Sequence, residues 1–329
     1  MRPAPLIAAF KRFKPESGIV GVALGAKEVA GETAGNPHAV TFFVKEKLAV
    51  KGARRRLSDG RRRLPKFVEL EGGTIPTDVV TTGAEQSSEG SDRSPPQIYR
   101  AGGKISNMQL TGTIGCLVAR RQQPGIYALT NQHIGLGAGT QIAFPAFNAD
   151  EAFIGITDAS LGLVADERFL PPFDSPESYI DVDCALVRVP PKFENRFSPD
   201  IPKFGRPTGV FTPHGADASA YALSLLDKRV FSYSWKSGPR SGTISHVYYV
   251  FERGPADMAH VACFLVQSDD DLPPGLLGDS GKLWMTQVDG SNHGIGVHFG
   301  VVADDPTSSR FALVTELASL ARFLDFSLI

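Results

Sequence analysis

The chain has 329 residues, of which 42% are hydrophobic and 21% charged, with a formal net charge of -1. That is enough apolar side chain for a sizeable core, and it excludes wholesale disorder. Nothing in the overall charge points to nucleic acid or to a membrane surface. The length allows two compact units, or one large unit with an appendage. The 34 glycines and 24 prolines favour many turns and short strands over long helices. The three cysteines, Cys116, Cys184 and Cys263, are too few and too odd in number for a disulfide framework. With no C-x-x-C pair they do not suggest structural zinc.

In chain order, residues 1–14 hold a short apolar stretch followed by Lys11, Arg12 and Lys14, with no clear cleavage site. No signal peptide is expected. No apolar run approaches the roughly 18 residues a membrane helix needs, so the expectation is a soluble cytoplasmic protein. Residues 18–25 and 39–46 read as strands, as do 67–70 and the β-branched run 76–81. Between them lie Arg54, Arg55, Arg56, Arg61, Arg62 and Arg63. Residues 1–83 therefore read as a small α+β module, and 84–103 as a flexible linker opening with a Ser, Glu, Gly and Pro-rich stretch. From 104 to 329, short β-like runs recur at 113–119, 125–130, 140–144, 180–189, 228–234, 241–251, 260–267 and 294–302. Regular short strands with turn signals suggest a sandwich or a barrel. The long segment 145–178 reads as a loop able to cover a cleft. The chain ends in a helical pattern at 313–326, with Leu313, Leu317, Leu320, Ala321 and Leu324 on one stripe.

Three segments carry candidate chemistry. Gly275-Leu276-Leu277-Gly278-Asp279-Ser280-Gly281 can make a tight turn in which the N–H groups of Gly278 and Ser280 point to one spot. That is an oxyanion hole beside a hydroxyl nucleophile. In Tyr127-Ala128-Leu129-Thr130-Asn131-Gln132-His133-Ile134, an apolar strand runs out at His133. Alone, that histidine reads as one packed at a barrel rim. Tyr179-Ile180-Asp181-Val182-Asp183-Cys184-Ala185-Leu186-Val187 embeds Asp183 in an apolar strand, where a charge is costly unless paired. Asp181 in the same strand reads as facing solvent. The order is His, Asp, Ser, with 50 residues from His133 to Asp183 and 97 from Asp183 to Ser280.

These segments resemble the trypsin-like serine peptidases. Leu129-Thr130-Asn131-Gln132-His133 is similar to that family's strand-Thr-x-x-His element, Asp183-Cys184-Ala185-Leu186 to its Asp-x-Ala-Leu element, and Gly278-Asp279-Ser280-Gly281 to its nucleophile loop. The resemblance implies a mostly β fold of two six-stranded antiparallel barrels, a C-terminal helix, and a His133, Asp183, Ser280 triad. It makes Gly296-Val297-His298-Phe299-Gly300 the strand lining the substrate pocket, with His298, Phe299 and Gly300 as pocket residues. Lys236-Ser237-Gly238-Pro239-Arg240-Ser241-Gly242-Thr243 resembles a glycine-rich strand pair of bacterial members. Gly18-Ile19-Val20-Gly21-Val22, Val40-Thr41-Phe42-Phe43-Val44 and Ile75-Pro76-Thr77-Asp78-Val79-Val80 resemble the front of Narrow-Leaf-type members, as does Thr111-Gly112-Thr113-Ile114-Gly115-Cys116-Leu117-Val118 after the linker.

The departures are informative. Ile134 stands where secreted trypsins carry a cysteine, so Cys116 has no obvious partner. Lys282 and Leu283 replace the usual Gly-Pro after the nucleophile loop. Ile19-Val20-Gly21 resembles an activating N-terminus but lies 114 residues before His133, too far for that arrangement. No cleavage-driven activation is expected, and the partner of Asp279 is open. Pro274 stands six residues before Ser280, where trypsin carries the acid that reads Lys or Arg. His298 stands where glutamate-specific relatives read an acidic or amide side chain. The expected preference is therefore Glu or Gln, with a merely packed His298 as the alternative.

The expected activity is a serine endopeptidase acting on protein or peptide substrates. The alternatives are a catalytically silent peptide-binding or regulatory module on the same fold, and nucleic-acid or acidic-partner binding through the arginine cluster, for which no interleaved aromatics speak. No cofactor and no metal are expected, since His38, His214, His246, His260 and His293 form no ligand-spaced pair. Membrane association is not expected, and homo-oligomers enter by resemblance only.

Overall fold

The computed structural model describes residues 4–17, 19–25, 28–29, 32–33, 39–44, 64, 66–70, 73–81, 85–86, 98–147, 152–164, 179–212, 224–252, 259–270, 272–302 and 309–329. The arginine cluster at 54–63, most of the linker, His38 and His214 lie outside them. As expected, the chain is mostly β.

The front of the chain opens on a helix the sequence reading did not anticipate, α1 (Ala4–Ser17). Leu6, Ile7 and Phe10 fall on one buried stripe while Lys11 and Arg12 are exposed, the pattern of a helix laid against a sheet. Phe13 meets Phe42 edge to face, with centroids 5.7 Å apart. Strands β1 (Ile19–Gly25), β2 (Ala39–Val44), β3 (Phe67–Leu70) and β4 (Gly73–Thr81) follow. β2 pairs antiparallel with β1 and parallel with β4, and β3 and β4 form a hairpin. β1 and β2 are apolar apart from the buried Thr41, because both of their faces are covered.

Next come β5 (Lys104–Ser106), β6 (Thr111–Thr113), β7 (Leu117–Arg120) and β8 (Ile126–Thr130), then the short turn α2 (Gln132–Gly135). β9 (Gln141–Phe144), β10 (Phe153–Val164) and β11 (Tyr179–Arg188) complete the first curled sheet. Its pairings run β7, β8, β11, β10, β9, β5, β6. Since β6 leads directly into β7, the sheet curls back on itself. The single run expected at 113–119 is broken at residues 114–116, where the chain steps from β6 to β7. Residues 153–164, read from sequence as part of a loop, form β10 instead. Pairing with β9 and β11 supplies the partners that its mixed Thr, Ser and Gly composition conceals.

The second sheet closes fully. β12 (Arg229–Ser234), β13 (Gly238–Glu252), β14 (Ala259–Ser268), β15 (Leu283–Val288), β16 (Ser291–Val302) and β17 (Phe311–Glu316) pair in the ring β12, β13, β14, β17, β16, β15 and back to β12. β13 is long because its first half pairs with β12 and its second half with β1 of the front sheet. Gly21 is required at that seam, since a Cβ there would run into the Tyr249 ring.

The expected helix at 313–326 is corrected. Residues 311–316 are β17, and only α3 (Leu317–Phe323) is helical. β18 (Phe326–Leu328) then crosses to pair with β7 of the first sheet. β17 lies between β14 and β16 with both faces buried. Phe311–Val314 therefore form a continuous apolar run, which helical spacing fits as well as strand spacing does.

His246 joins the front sheet to the second barrel. It packs against Gly25, with ring centroids 5.3 Å from Phe43 and 5.6 Å from Phe311. Burial lowers its pKa from 6.5 to about 4, outweighing the opposing Asp78 charge. The unfolded imidazole takes its proton near 6.5 and the folded one near 4, so the unfolded state binds more protons across that interval. Stability should fall as pH drops from 6.5 toward 4, by up to about 3 kcal/mol. Urea unfolding across that range should show the loss, and His246→Phe should flatten it. An unchanged slope in the variant would assign the acid sensitivity elsewhere.

Candidate active site

His133 sits on α2, directly after β8. The Gly135 and Leu136 N–H groups donate to Asn131 and Gln132 carbonyls at 2.8 and 2.6 Å. Gly135 presses against Ala185 of β11 with no room for a Cβ, which brings the turn onto the strand carrying Asp183. Asp183 holds φ +38°, a left-handed conformation that short polar side chains tolerate best. The β10–β11 register also shifts between Leu161 and Leu163, opposite this point. The carboxylate leaves the pleat and meets His133 twice. Oδ1 accepts the His133 backbone N–H at 3.0 Å, and Oδ2 lies 2.6 Å from Nδ1. Asn131 Nδ2 donates to the Asp183 carbonyl at 2.7 Å and steadies the same kink. This places the proton on Nδ1, and Nε2 is left as a buried acceptor without a hydrogen-bond partner among the described residues. Asp181, expected to face solvent, is buried, because β11 is flanked there by β10 and by β14.

The turn carrying Ser280 is built on two left-handed glycines, Gly278 (φ +104°) and Gly281 (φ +96°). The Asp279 N–H donates to the Leu276 carbonyl at 2.9 Å, and the Lys282 N–H donates to the Asp279 carbonyl at 2.9 Å. β6 of the first sheet then stitches this turn in place. The Thr113 N–H donates to the Ser280 carbonyl at 2.7 Å, and Thr113 Oγ1 donates to the Gly278 carbonyl at 2.8 Å. Gly112 lies between the two halves of the site. A Cβ on it would be 2.7 Å from Ile134, the neighbour of His133, and 2.8 Å from the Ser280 carbonyl. The Gly281 Cβ position is 2.6 Å from Thr130 Oγ1 and still closer to the Thr113 carbonyl. Gly115 is pressed in the same way against the Gly281 carbonyl. Ser280 is wholly buried, whereas the His133 side chain is 14% exposed.

The open question of Asp279 has an answer in Lys282. Its Nζ lies 3.0 Å from Asp279 Oδ2, both side chains being inaccessible to solvent. Ser234 donates to Asp279 Oδ1, and the Leu276 N–H donates to Oδ2 at 2.9 Å. Sequence reasoning noted Lys282 only as a departure after the nucleophile turn. A lysine three residues beyond an embedded aspartate was the one signal for the pair.

His298 is wholly buried, and neither ring nitrogen has a hydrogen-bond partner among the described residues. Its backbone is fastened beside the nucleophile. The Gly281 N–H donates to the His298 carbonyl at 2.8 Å, and the His298 N–H donates to the Lys282 carbonyl at 3.0 Å. The ring faces Gly275, whose Cβ position is 2.6 Å from Nε2. Burial, together with the Lys282 and His133 charges, holds His298 well below the ordinary histidine range against the pull of Asp279, so it is neutral at pH 7. Phe299 turns its side chain into a separate apolar cluster with Phe43, Tyr249 and Leu313. Gly300 contributes backbone, paired with Leu313. Beyond β15, the free edge of β16 is taken by the chain's own Glu85–Gln86, with Val301 opposite Gln86 and Val302 opposite Glu85 in antiparallel register.

No known protein family matches the sequence, and no curated protein does. Several solved structures resemble the chain at low identity. A Nocardiopsis protease is 16% identical, with 70% of this chain and 98% of that one covered and a TM-score of 0.44. Thermobifida fusca protease A is 17% identical over 71% and 98%, with a TM-score of 0.44. A glutamic acid specific serine protease, which uses a histidine triad in substrate binding, is 13% identical over 70% and 100%, with a TM-score of 0.47.

Gly281→Ala should lower stability by about 1–3 kcal/mol, because it combines a left-handed backbone with contacts to fixed neighbours. Urea denaturation measures this. A variant as stable as the parent would mean that the turn has room the structure denies it.

Proposed function

We propose that the chain is a chymotrypsin-fold serine endopeptidase, of the Narrow-Leaf-type group its sequence resembles. The observation that carries the reading is the double attachment of His133 to Asp183, which orients the imidazole and leaves Nε2 as the base. In the proposed reaction, His133 takes the Ser280 proton as the hydroxyl attacks the scissile carbonyl. Asp183 stabilises the imidazolium that forms. The Gly278 and Ser280 N–H groups hold the oxyanion. His133 then protonates the leaving amine, and the acyl group remains on Ser280. Water, losing its proton to His133, releases it and restores the hydroxyl.

Cleavage after Glu or Gln is the proposed preference. A neutral imidazole carries one N–H, and His298 has that donor unspent in a buried position flanking Ser280. The three cysteines are free and buried, which suits the proposed cytoplasmic location. Among the described residues no helix is long and apolar enough to cross a membrane. Residues 1–83 are proposed as a module for assembly or regulation, 84–103 as the linker and 104–329 as the peptidase domain, with homo-oligomers as part of the proposal.

A second reading is a silent module on the same fold that holds an extended peptide without cutting it. It is favoured by the complete burial of Ser280 and by Glu85–Gln86 lying along the β16 edge. Labelling with a fluorophosphonate separates the two. The endopeptidase reading expects labelling that Ser280→Ala abolishes and that Asp183→Asn slows by about 10⁴-fold. A folded wild-type protein that stays unlabelled at every pH would leave the silent module. In a peptide library, the wild type should favour Glu or Gln at the cleaved position. His298→Ala should shrink that preference by roughly 10–100-fold, the worth of one hydrogen bond to a charged or amide oxygen. Strong cleavage after Lys or bulky apolar residues would remove the assignment of His298.

A further inference from the structure

The most unusual charge in the molecule is a lysine with no access to solvent, lying under the turn that carries the nucleophile. Among the described residues, Lys282 Nζ has two hydrogen-bond acceptors and one aromatic ring beside it. It donates to Asp279 Oδ2 at 3.0 Å and to the Pro274 carbonyl at 2.5 Å, and it stands 5.0 Å from the centroid of the Trp284 ring. One ammonium thus ties the residue before the turn to the residue in its middle. Asp279 is held from two further sides, by the Ser234 hydroxyl of β12 and by the Leu276 N–H.

We infer that Lys282 is a positioning residue, whose buried ammonium holds Asp279 so that the Gly278 and Ser280 N–H groups converge on the oxyanion. This rests on the endopeptidase reading above. The physical link is short. Asp279 stands between the two residues whose N–H groups form the hole, and the Ser280 N–H belongs to the same peptide plane as the Asp279 carbonyl. The Ser234 hydroxyl, the Leu276 N–H and the Lys282 ammonium fix the Asp279 side chain, and its Cα is where that peptide plane begins. A carboxylate buried without a cation must take up a proton or swing toward water, and either releases the turn. Because the cation comes from three residues further along the same segment, a competent turn requires no newly freed chain terminus.

The titratable groups facing Lys282 are Asp279, Arg240 and the neutral His298, with His133 acting on His298 from across the site. Burial pulls Lys282 below the ordinary lysine range, against the Asp279 charge that raises it. As pH rises, the ammonium loses its proton, Asp279 loses its partner, and the hole should open.

The test is the rate of fluorophosphonate labelling of the full chain as a function of pH, alongside affinity for an uncleavable peptide. Wild type should show an alkaline fall in labelling rate while circular dichroism stays native. In Lys282→Arg, whose guanidinium does not titrate in this range, the fall should move to higher pH. The variant Lys282→Met should label about 10²-fold more slowly, the loss expected when an oxyanion donor is misplaced, with peptide affinity little changed. Should Lys282→Met fail to fold, the doubly uncharged Asp279→Asn/Lys282→Met protein replaces it, and the same slow labelling is expected. The inference is overturned by an uncharged variant that labels at the wild-type rate, or by a wild type with no alkaline fall. A wild type that never labels defeats the endopeptidase reading itself, and so is distinct from either outcome.

Discussion

Two curled sheets touch backbone to backbone along β6, and the site exists only because nothing stands between them. Gly112, Gly115 and Gly281 each occupy a place where a single methyl would strike a carbonyl oxygen of the opposite half. The same contact is sealed by hydrogen bonds from Thr113 to Ser280 and Gly278, and from Thr130 to Thr113. A histidine from one sheet and a serine from the other are thereby fixed relative to each other through main chain, with side-chain flexibility largely removed. Thr113 reaches across to the Gly278 carbonyl, and Thr130 holds the Thr113 carbonyl from within its own sheet.

Buried charge is the second theme. Asp183 and Asp279 are each embedded in apolar surroundings, an arrangement that is unfavourable unless every oxygen finds a donor. Asp183 spends its two oxygens on the main chain and ring of one histidine. Asp279 spends its oxygens on a hydroxyl, an amide and an ammonium. The first pairing leaves His133 Nε2 without a hydrogen-bond partner among the described residues, whereas both Asp279 oxygens are met.

The front sheet is joined to this framework through β1 and β13, with His246 and Gly21 at the seam. Its strands were legible from sequence because β-branched and aromatic runs bounded by turn residues have few other uses. The helix before them was harder to see. Its apolar stripe is short, and Pro5 disguises a first turn in which a missing N–H costs nothing.

By itself the sequence determined the class of the fold and named the candidate site residues, because both readings rest on local chemistry. Short β runs, glycines in a Gly-Asp-Ser-Gly turn, and an aspartate out of place in an apolar strand can each be recognised without neighbours. What pairs with what was decided only by the tertiary structure. Leu313, at the head of the C-terminal stripe, fell in a strand because β14 and β16 enclose it, while the rest of the stripe from Leu317 is helical. Asp181 became buried where β10 pairs opposite it and Thr315 of β17 donates to its carbonyl. Lys282 became the counter-ion of Asp279 because the turn folds its side chain inward beneath Trp284. Burial and partnership depend on segments far apart in the chain, so no window of sequence contains them.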